Sequence, residues 1–304
     1  MLVNIMKLGR PQFLILGLAV FGFGAAWAAA FGAQVFWLRL SWGALVVLLA
    51  QLSVSYSNDY FDLKMDQPGS VTPLSGGSGV LIEHPELRQP ARLIALTLIT
   101  ASLLGGAAFL GYFHLPWWLM LFVILGNLGG WHYSAPPLRL SERGWGELCI
   151  TLILSFLVPG MGYIAASGQT GSNGEFILLP LVFYNLAFCL DVELPDVEVD
   201  LAGGKKNWVV RWGRQFSLGL IGLLFLGCTI FFFLLPVLGE RTYLVNFHIL
   251  GLLSFIPLCT GTVVWLRHPL TRNRVTNSAI WILTSLMLFV ILVDAYLIWV
   301  AMRY

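Results

Sequence analysis

The sequence predicts an all-α polytopic membrane protein, a helical bundle of about nine transmembrane helices that forms a single domain over residues 1–304. The first observation behind this fold class is composition: 58% of the residues are hydrophobic and only 11% are charged. Soluble proteins carry about 25% charged residues. The second observation is that the apolar residues gather in long blocks, many close to the roughly 20 residues that an α-helix needs to cross a bilayer.

Nine such blocks follow one another along the chain. Their approximate bounds are residues 12–32, 36–57, 92–113, 115–133, 147–167, 175–190, 216–238, 245–266 and 277–300. The first block follows two basic residues and ends in small residues, as a secretory signal does. It is nevertheless long enough to span a bilayer, so we interpret it as the first transmembrane helix.

The basic residues indicate an orientation. Fourteen of the seventeen Lys and Arg residues fall in the N-terminal tail or in the loops after helices 2, 4, 6 and 8. Because cytoplasmic loops of membrane proteins are enriched in Lys and Arg, this asymmetry predicts a cytoplasmic N-terminus and an external C-terminus. The protein is expected in the inner (plasma) membrane of the cell.

A first acidic cluster follows the second block and contains Asn58, Asp62 and Asp66. Their i, i+4, i+8 spacing would place the three side chains on one face if the helix continued through them. Like charges in that position repel unless a cation lies between them, and hard oxygen ligands suit Mg²⁺. Carboxylates so close to a membrane are commonly functional.

A second acidic cluster, Glu193, Asp196 and Asp200, follows the sixth block with i, i+3, i+7 spacing. Pro195 predicts that the helix bends or restarts there, because proline cannot continue the helical hydrogen-bond ladder. The predicted topology places both clusters on the cytoplasmic side. An irregular backbone at membrane depth is tolerated where it lines a water-filled site.

Basic residues accompany the acidic clusters. Lys64 lies within the first, Lys205 follows the second after two glycines, and Arg139 and Arg143 lie between helices 4 and 5. Carboxylates, Mg²⁺ and flanking bases together indicate a diphosphate site better than a bare cation site. The near-neutral net charge of +2 does not favour nucleic acid as a partner. The cysteines and histidines show no zinc or redox spacing.

The motifs resemble a known family. Residues 58–66, with the sequence NDYFDLKMD, resemble the NDxxDxxxD motif of the UbiA superfamily of intramembrane aromatic prenyltransferases. Residues 196–200, with the sequence DVEVD, followed by Gly204-Lys205, resemble its second motif. The stretch from Tyr133 to Leu148 is similar to a segment of the menaquinone branch, in which the acceptor is dihydroxynaphthoate.

This resemblance implies an enzyme that transfers a prenyl chain from an allylic prenyl diphosphate to an aromatic, lipid-soluble acceptor, dihydroxynaphthoate in menaquinone biosynthesis being the first expectation. It implies Mg²⁺ as cofactor, held by Asn58, Asp62, Asp66, Asp196 and Asp200. The expected diphosphate ligands are Lys64, Lys205, Arg139 and Arg143. Aromatic faces, among them Tyr56, Tyr60, Trp131, Tyr133 and Tyr184, are candidates to stabilise the allyl cation, and Asp191 or Glu193 is a candidate for the catalytic base.

Two alternatives stay open on the sequence alone. Within the enzyme class, the acceptor could be hydroxybenzoate, homogentisate, a chlorin, haem or a glycerol-phosphate lipid. From another class, a cation-coupled transporter also places carboxylates in a helix bundle, although usually near the midplane on broken helices.

Overall fold

The structure is a computed structural model that describes residues 2–63, 72, 74, 77–170, 178–237, 244–269 and 271–303. Every regular element within these ranges is helical, and the described residues contain no β-strand. The predicted all-α class is therefore confirmed.

The long apolar helices carry the labels α1 to α9 in chain order. They are α1 (Pro11–Ala30), α2 (Trp37–Asp62), α3 (Arg88–Tyr112), α4 (Met120–Ser134), α5 (Gly146–Ser167), α6 (Leu178–Glu193), α7 (Arg214–Leu234), α8 (Phe247–Arg267) and α9 (Arg272–Arg303). Each overlaps one predicted block. Among the described residues, seven helices are long and apolar enough to cross a membrane, whereas α4 and α6 have 15 and 16 residues. Nine spans therefore stays a prediction.

The helices pack into one bundle in which α1 contacts α2, α5 and α9, and α2 contacts α3, α4 and α5. The helices α6, α7, α8 and α9 form the other side of the bundle. At the face opposite the acidic clusters, the Arg39 guanidinium at the start of α2 donates to the carbonyl oxygens of Ala165 and Ala166. A cation at the C-terminal end of α5 also complements its helix dipole.

The contact between α1 and α5 depends on glycine. A Cβ on Gly162 would lie 2.0 Å from the carbonyl oxygen of Phe21, and a Cβ on Gly24 would lie 1.9 Å from that of Pro159. Small residues of this kind let two membrane helices approach closely.

We expect Gly162→Ala to destabilise the protein by about 1–3 kcal/mol, because the added methyl group overpacks a backbone-to-backbone contact. The measurement is the midpoint of thermal unfolding in detergent. Gly222→Ala on α7 is the matched control, since its Cβ would meet no described atom within 4 Å. Equal midpoints for the two variants would contradict the close approach.

Several short helices lie between the long ones at the end that carries the acidic clusters. They are Leu2–Leu8, Val80–Glu83, Leu140–Arg143, Val197–Ala202 and Trp208–Trp212. The hydropathy blocks did not predict them, because each is too short to form a membrane segment. The helix Leu2–Leu8 packs against α2 and against Val80–Glu83, with Leu8 fully buried.

Candidate active site

The first acidic cluster lies on the last turns of α2. The helix continues to Asp62, so Asn58 and Asp62 share one face, one turn apart, as predicted. The Ser134 hydroxyl at the end of α4 lies 3.0 Å from Asn58 Oδ1 and 3.1 Å from Asp62 Oδ2. The other carboxylate oxygen, Oδ1 of Asp62, is buried and has no hydrogen-bond partner among the described residues. Lys64 and Asp66 lie outside the described residues.

The second acidic cluster lies where α6 ends. A 3₁₀ turn, Leu194–Asp196, interrupts the helix at Pro195, and the short helix Val197–Ala202 follows. This matches the break that the proline predicted. Asp196, in the 3₁₀ turn, and Asp200, in the short helix, are both buried.

Lys205 and Asn207 hold the carboxylate of Asp200. The Lys205 ammonium lies 2.9 Å from Asp200 Oδ1, and the Asn207 amide donates to Oδ2 at 2.8 Å. The Arg272 guanidinium, at the first residue of α9, lies 3.6 Å from Asp196 Oδ1 and also donates to the carbonyl oxygen of Pro195. Each buried carboxylate thus faces a cation from a later part of the chain.

Lys205 interacts electrostatically with carboxylates of both clusters. Burial alone would lower the pKa of Lys205, but the carboxylates of Asp200, Asp62 and Asp196 outweigh it and raise that pKa above its ordinary value. A raised lysine pKa means that the charged form is retained at any physiological pH. The permanent positive charge of Lys205 therefore stabilises the ionised carboxylates of both motifs.

These side chains line one cavity of about 310 Å³. Its polar end is lined by Arg10, Asn58, Asp62, Tyr133, Glu147, Glu193, Asp196, Asp200, Lys205 and Asn207. From there the walls of α2, α4 and α5 are mainly apolar, for example at Val47, Phe122, Leu157 and Met161. Part of the α5 wall, Ile153–Leu157, is a π-helical turn, a local irregularity frequent at functional sites. A charged head group and an apolar tail would both find a matching environment.

The donor set suits a hard divalent cation. Among the described residues, no three His, Cys, Asp or Glu side chains are close enough to hold a metal ion by themselves. Mg²⁺, however, usually takes only one or two carboxylates and completes its shell with water and phosphate oxygens. Among the described residues, Oδ1 of Asp62 has no partner and the amide oxygen of Asn58 accepts from Ser134 alone, so both leave lone pairs for such a cation.

Most of the other residues singled out from the sequence lie away from the cavity. Arg139 pairs with Glu142 at 3.3 Å, and both Arg139 and Arg143 are exposed. Asp191 is fully buried but is not among the lining residues. Of the five aromatic candidates, Tyr133 lines the cavity; Tyr56 donates to the Ile5 carbonyl, and the others also pack elsewhere. Tyr60 faces Arg88, Trp131 contacts Phe61, and Tyr184 packs in the core with its ring tilted against that of Phe289.

Some residues at the site have roles that the sequence did not predict. The Ser134 hydroxyl of α4 contacts Asn58 and Asp62 of α2, which are distant from it in the sequence. Asp59 lies in the first motif, yet it pairs with Arg10 at 2.5 Å and accepts from the backbone N–H and the hydroxyl of Ser78. Glu147 accepts a hydrogen bond from the backbone N–H of Trp208 and ties the loop after the second cluster to the start of α5.

The family model described as "UbiA prenyltransferase family" matches residues 17–283, which is most of the chain. The chain belongs to the UbiA prenyltransferase family. The resemblance predicted from the two acidic motifs is thereby confirmed. Because it belongs to this family and contains long apolar helices, the protein is an integral membrane protein.

Three relatives illustrate the range of named functions in the family. The chain is 24% identical over 183 residues to "1,4-dihydroxy-2-naphthoate octaprenyltransferase" of Bacillus subtilis, covering 59% of this chain and 56% of that protein. It is 25% identical to "Digeranylgeranylglyceryl phosphate synthase" of Thermococcus sibiricus, covering 81% and 75%. It is 28% identical to "2-carboxy-1,4-naphthoquinone phytyltransferase" of Synechocystis, covering 53% and 50%. The matches thus span about half the length of two of these relatives.

Solved structures share the fold of this UbiA family protein. A UbiA homologue from Archaeoglobus fulgidus bound to DMAPP and Mg²⁺ superimposes with a TM-score of 0.70 at 20% identity, covering 99% of this chain and 100% of that one. The same homologue bound to GPP and Mg²⁺ gives 0.67 at 18% identity, covering 96% and 99%. At these identities the likeness establishes the fold alone.

Proposed function

We propose that this UbiA family protein transfers a prenyl group from an allylic prenyl diphosphate to an aromatic, lipid-soluble acceptor, with Mg²⁺ as cofactor. The observation that carries the proposal is the shared cavity. Asp62 of the first motif and Asp196 and Asp200 of the second line one polar end around Lys205, and an apolar chamber continues from it. That arrangement suits a diphosphate with a hydrocarbon tail.

The difficult part of the reaction is separating the allylic carbon from the negatively charged diphosphate. Bound Mg²⁺ would supply charge stabilisation for the leaving diphosphate, and Asn58, Asp62, Asp196 and Asp200 are the residues that would hold it. Lys205 lies beside the same carboxylates and supplies a fixed positive charge to the diphosphate oxygens. The apolar walls exclude water, which would otherwise capture the allyl cation. Tyr133 is an aromatic side chain at the polar end of the cavity, where it can face that cation.

Dihydroxynaphthoate is the acceptor that we propose first. The support is the named activity of the Bacillus relative, together with the naphthoquinone named for the Synechocystis relative. The Thermococcus relative is named for a glyceryl phosphate lipid, so a lipid of that kind is the main alternative to dihydroxynaphthoate as acceptor. We also propose that the acidic end of the cavity faces the cytoplasm, because most Lys and Arg residues lie in the loops at that end.

The test is a transfer assay with purified protein in detergent. The protein is incubated with Mg²⁺, a labelled prenyl diphosphate and, separately, dihydroxynaphthoate, hydroxybenzoate, homogentisate and geranylgeranylglyceryl phosphate. We expect a prenylated product with dihydroxynaphthoate and slower or no product with the others. If product forms with the glycerol-phosphate lipid alone, that lipid and not dihydroxynaphthoate is the acceptor. The absence of product with every acceptor would overturn the proposal.

A further inference from the structure

The helices α7, α8 and α9 lie outside the wall of the cavity. Among the described residues, those that line the cavity all precede Trp208 in the chain. Both α7 and α9 nevertheless begin with an arginine that contacts the break at the end of α6. That break is the 3₁₀ turn Leu194–Asp196, which carries one of the candidate metal ligands. The two arginines are therefore contacts through which the outer helices can act on the site.

Arg214, the first residue of α7, holds the backbone of the break. Its Nε donates to the carbonyl oxygen of Leu194 at 2.9 Å, and its two terminal nitrogens pair with the carboxylate of Glu198. These contacts join residues before and after the turn to the start of α7. The backbone of the turn thus has an anchor that does not involve the side chain of Asp196.

Arg272, the first residue of α9, contacts both the backbone of the turn and the carboxylate of Asp196. Its Nε donates to the carbonyl oxygen of Pro195 at 3.2 Å, and its Nη2 lies 3.6 Å from Asp196 Oδ1. The Asp196 side chain is 9% exposed and the Arg272 side chain is 32% exposed. One planar guanidinium thus holds a backbone oxygen and the side chain of the next residue. A lysine ammonium, which is a single point charge, does not reproduce that geometry.

The location of Arg272 is not explained by α9 itself. A cation in the first turn of a helix opposes the dipole of that helix, whereas a cation beyond the C-terminal end of a helix is favourable. The favourable interactions of Arg272 are with the turn that follows α6. Enrichment of basic residues in cytoplasmic loops accounts for the charge of Arg272, but not for its contacts with two consecutive residues of this turn.

We propose that Arg272 is a positioning residue for Asp196: from outside the cavity, its guanidinium holds the Pro195 carbonyl oxygen and the Asp196 carboxylate so that Asp196 binds the divalent cation. This inference rests on the proposed role of Mg²⁺ in prenyl transfer. Arg272 does not line the cavity, so its substitution removes no direct contact with metal or diphosphate. Partners that orient a metal ligand commonly change metal affinity by about 10–100-fold when they are replaced.

The experiment measures the affinity for Mn²⁺, which substitutes for Mg²⁺ and whose free form gives an electron paramagnetic resonance signal. Purified protein in detergent is titrated with Mn²⁺ in the presence of geranyl thiolodiphosphate, a diphosphate ester that resists cleavage. We expect Arg272→Gln to raise the dissociation constant of Mn²⁺ by about tenfold or more. The Mg²⁺ concentration that half-saturates prenyl transfer should rise by a similar factor. The kcat at saturating Mg²⁺ should change by less than about twofold, because only metal binding is weakened.

Arg274→Gln is the matched control. Arg274 is an exposed arginine two residues further along α9, so its substitution removes an equal charge from the same helix end. We expect wild-type affinity for Mn²⁺ from it. Arg272→Lys keeps the charge but loses the planar guanidinium, so it should recover only part of the affinity. If Arg272→Gln does not purify as a folded protein, Arg272→Lys is compared with Arg274→Gln instead.

The outcomes separate the positioning role from the proposed function. Unchanged or tighter binding of Mn²⁺ in Arg272→Gln, or an equal loss in Arg274→Gln, would overturn the positioning role while prenyl transfer stands. Tighter binding would mean that Arg272 competes with the metal for Asp196. Weaker binding in Arg272→Gln, with no transfer by the wild type to any acceptor, would support the positioning role and overturn prenyl transfer. Absence of Mn²⁺ binding by the wild type would overturn both the positioning role and the role of Mg²⁺.

Discussion

Asp62→Asn and Asp196→Asn are each expected to lower prenyl transfer by about a hundredfold or more. The two carboxylates come from different motifs, 134 positions apart in the chain, and line the same polar end of the cavity. Asparagine keeps the shape and one oxygen but removes the negative charge that would hold Mg²⁺. Loss of a single electrostatic contact to a transition state commonly lowers a rate by about 10²–10³. The measurement is kcat and KM for the prenyl diphosphate, after gel filtration shows that each variant is folded.

Glu198→Gln is the matched control for these variants. Glu198 lies between Asp196 and Asp200 in sequence, but its side chain is 62% exposed, pairs with Arg214 and does not line the cavity. We expect near wild-type turnover from it. Full activity in Asp62→Asn or Asp196→Asn would refute the assignment of that residue to the metal. An equally large loss in Glu198→Gln would show that removing any negative charge from this region lowers activity, whether or not the residue lines the cavity.

Chelation of divalent cations with EDTA is expected to reduce prenyl transfer to background, and excess Mg²⁺ should restore it. The polar end holds five carboxyl groups, those of Asp62, Glu147, Glu193, Asp196 and Asp200, against the lining cations Arg10 and Lys205. Arg10 is already paired with Asp59. Adding a diphosphate to this excess of negative charge is unfavourable without further cations, because like charges in a partly buried site repel.

The readouts for this prediction are product formation and the binding of a non-reactive diphosphate analogue. EDTA loaded beforehand with Mg²⁺ serves as the control for chelator effects on the detergent-solubilised protein. Tight binding of the analogue and full turnover in metal-free buffer would contradict a role for Mg²⁺.

Much of the fold follows from hydropathy, because burial in lipid demands long apolar helices. The block at 36–57 located α2, although the helix itself runs to Asp62 through residues too polar for a hydropathy signal. Pro195 correctly predicted the break in the second motif. The π-helical turn Ile153–Leu157 in α5 was not predicted, although Pro159 lacks the backbone N–H that would donate to the Ser155 carbonyl and so disturbs the regular helix there.

The site itself was predictable only in its charged residues. Motif spacing located Asn58, Asp62, Asp196 and Asp200, whose charges or oxygens are costly in that environment. Partners such as Ser134 and Asn207 are common polar residues, and their role arises from contacts between distant helices. The expected role of Asp191 as catalytic base stays a prediction, and its place outside the cavity lining gives it no support.

The ion pair between Arg272 and Asp196 has a consequence for biosynthesis. A ribosome completes both acidic motifs long before it reaches residue 272, because the two partners are 76 positions apart. The growing chain therefore carries Asp196 through the insertion of α7 and α8 without this counter-charge. A product that stops before α9 would insert most of its helices and still lack the Arg272 cation that faces Asp196. We expect such truncated chains to be recognised by membrane quality control as unfinished.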